Sequence, residues 1–369
     1  MNLRTPGIVH RVAVLATGVA VGAASATLAP APAAAAPFPG AGGYVWGYQP
    51  TVASYVIPES AGSTFYGAND GAGPTTVTRS STGRYSIRWG GLGTAAPAGG
   101  GVAHASAYGS TSDLCAVISW GRGTDVVVSV ACYDRTGAPK DTFFTANWTA
   151  VAGELTGDHY SYLWADQPTT ASYAPASHYR YDARGVAPWV FRDGVGDYRA
   201  YLPSTHTYPE QVTTFYQTTA YGAAAVSCKV TGYLGGGVVR VRCRSAAGAL
   251  VDTRFSLTFA PSNLLMRIAP TSLSQVTLAG TTPGFAWNSD SNLSHLRTVT
   301  RLGTGSYRVF YPQIASPYGH AVARATGTTD SRCHASGWSS AGSDENISVR
   351  CVDSAGAAVD SPFSVAFTW

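Results

Sequence analysis

Charge is what this chain has least of. Only 12% of its 369 residues are Asp, Glu, Lys or Arg, against about 25% in an ordinary globular domain. Lysine is nearly missing, with Lys140 and Lys229 alone, and the arginines are scattered without a basic run. The formal balance of +4 falls to +2 once Arg4 and Arg11 are set aside with the leader discussed below. So small an excess, with no patch, does not imply a polyanionic partner, and no nucleic acid is expected. Apolar runs are short too, and nothing after residue 36 spans a bilayer as a helix. A helical period is missing throughout, and 42 Gly and 21 Pro would break one.

The chemistry-bearing motifs are also absent. There is no G-x-S-x-G, no H-E-x-x-H, no phosphate-cradling glycine loop and no dinucleotide fingerprint. The six cysteines form no C-x-x-C, which argues against zinc. The segment from Asn288 through Asp290 to Asn292 opens like a calcium loop. It lacks the glycine at position six and the glutamate at twelve. No metal, cofactor or catalytic residue is expected.

Residues 1–36 read as an export signal. Arg4, His10 and Arg11 precede a weakly apolar stretch and a Pro/Ala tail ending at Ala36, with cleavage expected near Ala34 or Ala35. The expectation is a secreted, extracellular protein with no membrane insertion after cleavage. An even cysteine count on an exported chain reads as disulfides.

After the leader one unit occurs three times, over 37–150, 151–261 and 262–369. The motif V-x-R-x-x-x-G-x-Y appears as Val77, Arg79, Gly83, Tyr85; as Val190, Arg192, Gly196, Tyr198; and as Val299, Arg301, Gly305, Tyr307. A cysteine followed five residues later by an aromatic recurs as Cys115 with Trp120, Cys228 with Tyr233, and Cys333 with Trp338. A third motif, C-x4-G-x3-D-x2-F-x3-[WF], starts at Cys132, Cys243 and Cys351 and carries Asp141, Asp252 and Asp360. Units one and two also open with W-x-x-Q-P-T-x-x-S-Y, at Trp46–Tyr55 and Trp164–Tyr173. Unit three has Met266 in place of the tryptophan. Self-similarity at this period marks repeated domains.

Each unit reads as β. Tyr85–Trp89 alternates apolar and polar residues, and Val126–Val130, Val238–Val241 and Ile347–Val349 are β-branched. About eight strands per unit fit a jelly-roll-like sandwich. Folding each cysteine pair as a hairpin places turns at Arg122–Asp125, Leu234–Gly237 and Ala341–Gly342. The pairing that repetition selects is Cys115–Cys132, Cys228–Cys243 and Cys333–Cys351, one disulfide per unit.

The charges shared by all units, Arg79, Arg192 and Arg301 with Asp141, Asp252 and Asp360, admit two readings. One is a ligand contact repeated threefold. The favoured one is structural, an internal Arg–Asp pair or an Asp capping the turn before the last strand. A functional site in a repeat protein should instead use residues peculiar to one copy. No histidine recurs in all three units. Acids such as Asp182, Asp193 and Glu210 are available to a hydrolase, but the sequence does not bring them together. Unrepeated aromatics are densest in unit two, where Tyr179, Tyr181 and Trp189 are the candidate ligand-binding residues, because rings offer flat faces to sugars.

Together these motifs resemble secreted tandem-repeat β-sandwich proteins of high-GC bacteria, a likeness that implies context and no site. The strand texture G-x-Y-x-V and F-S-V-A-F is similar to complement-type and tumour-necrosis-factor-like jelly rolls, a likeness under which three units in one chain could pack as a pseudo-trimer; the short link from Phe259 to Leu264 suits adjacent packing as readily as a beaded string. The expected function is a secreted, non-enzymatic binding protein for a polysaccharide or another extracellular surface. A structural role in the envelope or matrix and a hydrolase with an unrecognised site are the alternatives.

Overall fold

The computed structural model describes residues 40–58, 66–151, 160–205, 214–261, 271–276, 285–287, 298–316 and 319–368. The leader, Met266, Glu210 and the Asn288–Asn292 segment lie outside these residues. The fold is all-β: three tandem jelly-roll-like sandwiches, each stapled by one disulfide.

Unit one has nine strands, one more than its alternation pattern gave. Its inner sheet runs Gly67–Asn69, Gly40–Gly47, Phe144–Val151, Val102–Ala107. Its outer sheet runs Leu114–Arg122, Val126–Tyr133, Arg84–Trp89, Thr75–Ser81, Ser54–Val56. Unit two repeats both orders, with Arg180–Asp182, Ser161–Ala165, Arg254–Pro261, Thr214–Tyr221 inside. In unit three the inner order is Phe285–Trp287, Thr271–Val276, Phe363–Thr368, His320–Ala325. Between the two sheets of unit one lie Ile87, Trp89, Val128, Val130, Phe144 and Trp148, all fully buried. Replacing such an aromatic by alanine costs about 3–5 kcal/mol.

The disulfides join cross-strand neighbours, as the hairpin construction requires. Cys115, Cys228 and Cys333 face Cys132, Cys243 and Cys351 in register, each pair with Cα atoms 4.1 Å apart.

The recurring motifs turn out to be halves of one hydrogen-bonded device. Asp141 accepts from Arg79 Nε at 2.9 Å and Nη2 at 2.8 Å, from Gly83 N at 2.8 Å and from the Tyr85 hydroxyl at 3.1 Å. Asp252 is held in the same way by Arg192, Gly196 and Tyr198, and Asp360 by Arg301, Gly305 and Tyr307. The glycine is required because its φ is +64°, +61° or +63°, a region that side chains avoid. Thr142 N and Thr253 N donate in turn to Tyr85 and Tyr198. The Arg guanidinium holds each aspartate below the ordinary carboxylate range. The device locks the hairpin before the cysteines to the segment entering the last strand.

The inner sheets are buried on both faces. Every residue of Val102–Ala107, Phe144–Val151 and Phe363–Thr368 is buried, which one sandwich core cannot explain. The second face meets the other units. One apolar cluster draws Val102 and Val151 from unit one, Tyr160, Tyr162, Phe215 and Ala260 from unit two, and Val322 and Ala366 from unit three. Each unit touches both others. Trp120 of unit one packs on Trp164 of unit two at 5.5 Å, and Trp338 of unit three packs on Trp46 of unit one at 6.0 Å. These are equivalent residues meeting in the same sense. The main chain repeats the relation: Gly222 N donates to the Val117 carbonyl and Gly109 N to the Ala335 carbonyl.

Candidate functional site: a cationic cavity between the units

The strand preceding each cysteine hairpin pairs with the last strand of its unit, and the register identifies equivalent residues. Ser106 faces Thr145, Thr219 faces Ser256, and Arg324 faces Ser364. These three positions meet. Arg324 donates from Nη1 to the Ser106 hydroxyl at 2.8 Å, and from Nη2 to the Ala105 carbonyl at 2.8 Å and the Thr219 hydroxyl at 3.3 Å. A layer that is Ser in unit one and Thr in unit two is therefore filled by an arginine from unit three. Deeper, His104 bridges Thr219 at 3.1 Å and Thr258 at 2.8 Å, and Gln217 donates to Asn147 at 2.9 Å. Burial pushes the His104 imidazole well down, so it is neutral.

Above the Arg324 layer lies a cavity of about 60 Å³ lined from all three cysteine hairpins. A water centre needs about 10–15 Å³, so the space takes a handful of waters or one compact polyatomic ion. Leu114 and Cys115, Ser227 to Lys229, and Ser331 to His334 contribute equivalent segments. Five cations line it, Lys229, Arg242, Arg244, Arg324 and Arg332, against the carboxylates of Asp113 and Asp330. Arg242 is bonded to Asp197. Among the described residues the other four have no ion-pair partner.

Their hydrogen bonds go to uncharged groups. Lys229 Nζ reaches the Ser331 carbonyl at 3.0 Å and hydroxyl at 3.1 Å. Arg244 donates to the Gly248 carbonyl at 2.7 Å, and Arg332 only distantly, at 3.5 and 3.4 Å, to the Ser112 and Asp353 carbonyls. The Nε atoms of Arg244, Arg324 and Arg332 are sealed from solvent and have no partner. The carboxylates are partly committed: Asp113 Oδ1 to Lys140 at 2.9 Å, and Asp330 Oδ2 to Ser354. Asp113 Oδ2 is sealed and unpartnered.

Desolvation marks the strain of this arrangement. It pushes Lys229 down to about 8, with Arg244 adding repulsion. It takes Arg324 down to about 10, lowers Arg332, and takes His334 down to about 4. Taking a charge from water costs several kcal/mol unless something answers it. A cleft of about 220 Å³ between units two and three adjoins the cavity, sharing Lys229, Arg324 and Ala325, and is lined by Tyr216, Thr218, Thr231, Tyr233 and Ser364.

The aromatics singled out from the sequence are not gathered on one face. Tyr179 packs edge-on to Trp164 at 4.6 Å and Trp120 at 6.0 Å, within the junction of units one and two. Tyr181 stacks on Tyr162 at 5.7 Å in the inner sheet. Trp189 sits in the outer sheet, 39% exposed, donating to Ser172 at 2.7 Å. Asp193 is engaged by Arg199 and Arg240, and Asp182 accepts from Ser204 within a turn.

The cavity cations escaped sequence reasoning, yet a signal existed. Arg332 stands where units one and two have Leu114 and Ser227, Lys229 where units one and three have Ala116 and His334, and Arg244 where units one and three have Tyr133 and Val352. Charges peculiar to one copy, flanking a repeated cysteine, are the mark that histidines and aromatics did not carry. Compared with protein-family models, curated proteins and solved structures, the chain has no significant match.

Proposed function

We propose that the protein is a secreted, non-enzymatic binding protein, a pseudo-trimer folded from one chain that holds an anionic ligand at its pseudo-threefold axis. One observation carries this reading. Lys229 and three arginines from units two and three line a single cavity, where among the described residues none of the four makes an ion pair, and the two carboxylates that share the lining, Asp113 and Asp330, are fewer than the cations. An anion in the cavity would offset the desolvation cost of these cations, and guanidinium–oxyanion bonds are among the strong ones. Export through the 1–36 leader fits the three disulfides. The adjoining cleft offers a way in. Polysaccharide or surface recognition, if present, would then rest on anionic groups of the glycan more than on an aromatic platform.

The test is a thermal-shift series on dialysed protein with phosphate, sulfate, glucuronate and neutral glucose at matched ionic strength. Ligand that binds only the native state raises the midpoint. The expected result is a rise with one or more anions and none with glucose. A flat response to every anion would remove the reading.

A further inference from the structure

Two of the three junctions between units are closed by the same set of rings. Between units one and two, Trp120 meets Trp164 at 5.5 Å and Tyr221 at 5.3 Å, and Trp164 meets Tyr221 at 4.8 Å. Between units three and one, Trp338 meets Trp46 at 6.0 Å and Tyr108 at 5.1 Å, and Trp46 meets Tyr108 at 5.2 Å. The junction of units two and three departs from this pattern in its residues. Cysteine spacing puts Tyr233 where the other units have Trp120 and Trp338. Strand register makes Ala107, Ala220 and Ala325 equivalent, so Thr326 stands where Tyr108 and Tyr221 do. Met266, outside the described residues, takes the place of the opening tryptophan. The main chain differs too. Among the described residues, Gly327 makes no bond to the Val230 carbonyl to match those made by Gly222 and Gly109.

With those rings exchanged for smaller side chains, the third junction holds the cleft of about 220 Å³, lined by Val230, Tyr233, Thr326 and Gly327. Its wall also includes Tyr216, which stands where units one and three have Ala103 and Ala321. Three departures from the repeat, Tyr216, Tyr233 and Thr326, therefore meet at one place. We propose that this cleft binds a small free aromatic compound with a single phenol-sized ring. The closed junctions are the template, since the same frame there holds the phenol of Tyr108 or Tyr221 against an indole. An apolar cavity of about 150 Å³ is enough for benzene, so the cleft admits such a ring. Tyr216 and Tyr233 supply aromatic surface, and ring pairs gain more than their buried area alone gives. Thr231, Thr326 and Ser364 bring hydroxyl groups to the same lining. Binding is non-covalent. The proposal rests on the junction rings and is independent of the anion-site reading, although Lys229 and Arg324 line both spaces.

Isothermal titration of the disulfide-intact chain, with saturation-transfer NMR, provides the test. The probes are p-cresol, which is the tyrosine side chain as a free molecule, and its saturated counterpart 4-methylcyclohexanol. One p-cresol should bind per chain, and the saturated alcohol about threefold more weakly or worse. Thr326→Tyr installs the residue of the other two units and should fill the cleft. Its thermal midpoint should be no lower than the parent's, while p-cresol affinity falls about tenfold or more. Thr326→Ser leaves the space open and should keep p-cresol affinity within about twofold of the parent. Should Thr326→Tyr fail to fold, Tyr233→Trp narrows the cleft from its other wall and should weaken p-cresol in the same sense. No binding at about 10 mM, where a ligand of this size saturates a fitted site, overturns the proposal. So does p-cresol affinity unchanged in the folded cleft-filling variant. Equal affinity for the saturated alcohol overturns the aromatic class of the ligand.

Discussion

Two sets of arginines in this molecule have opposite fates. Arg79, Arg192 and Arg301 occur at the same place in every unit, and each is clamped bidentately to an aspartate that also accepts from a glycine amide and a tyrosine hydroxyl. Arg244, Arg324 and Arg332 each occur in one unit only and line a common cavity, where among the described residues they make no ion pair although Asp113 and Asp330 share the lining. The first set is what the repeat needs to fold, three times over. The second departs from the repeat at the point where the three copies meet, and it carries a desolvation cost that the fold does not require. Repetition helps to separate architecture from chemistry here: the charges shared by all units are answered within their unit, whereas these three unshared arginines make no ion pair among the described residues.

The comparison yields graded predictions. The largest effect should come from the shared elements. Opening one hairpin with Cys228→Ala and Cys243→Ala removes a loop closure of 15 residues and should cost about 3 kcal/mol, read by urea denaturation. Equal losses are expected for the other two pairs. Next, Asp252→Ala strands the guanidinium, the Gly196 amide and the Tyr198 hydroxyl. With solvent screening allowed for, the loss should be about 2 kcal/mol, read as a lowered urea midpoint. A neutral outcome would reassign the shared Arg–Asp unit to ligand contact. Arg324→Ser, by contrast, should leave stability no lower than the parent, because it removes an unanswered charge.

Smaller effects sharpen the comparison. Glu345 is also peculiar to one unit but lies away from the cavity. It is fully buried, accepts from Ser340 at 2.7 Å, and is raised by burial to about 7. A carboxyl whose native pKa exceeds its unfolded value takes up a proton on folding between the two, so stability falls as pH rises through that window. The thermal midpoint should decline from pH 5 to 7.5, and Glu345→Gln should flatten the decline. Lys229, lowered to about 8, has the opposite sign. Its native form releases a proton that the unfolded chain keeps, so stability should rise slightly between pH 8 and about 10, and Lys229→Met should abolish that rise.

Much of the fold was legible because the unit is written three times. Strand alternation in Tyr85–Trp89, turn chemistry between the cysteines, and repetition of the cysteine spacing all depend on short-range pattern, and the structure follows them. The Arg–Asp partnership was legible as a favoured reading, although its glycine and tyrosine participants were not, since they sit about 55 residues from the aspartate they serve. The site was not legible. It is assembled from Asp113, Lys229, Arg244, Arg324 and Arg332, five positions brought together by packing between units. Nothing in local pattern reports which faces of three inner sheets meet. Density of aromatics pointed instead to Tyr179, Tyr181 and Trp189, whose rings are spent on a unit junction, an inner-sheet stack and an outer-sheet surface.

The central claim, that unshared cations bind and shared ones hold, is tested most directly by one paired measurement. Thermal midpoints of Asp141→Asn and Arg324→Ser would be recorded with and without 10 mM phosphate. The account requires Asp141→Asn to melt lower than the parent and keep the full phosphate-induced rise, while Arg324→Ser melts no lower and loses that rise. A phosphate response that disappears in Asp141→Asn and persists in Arg324→Ser would contradict it.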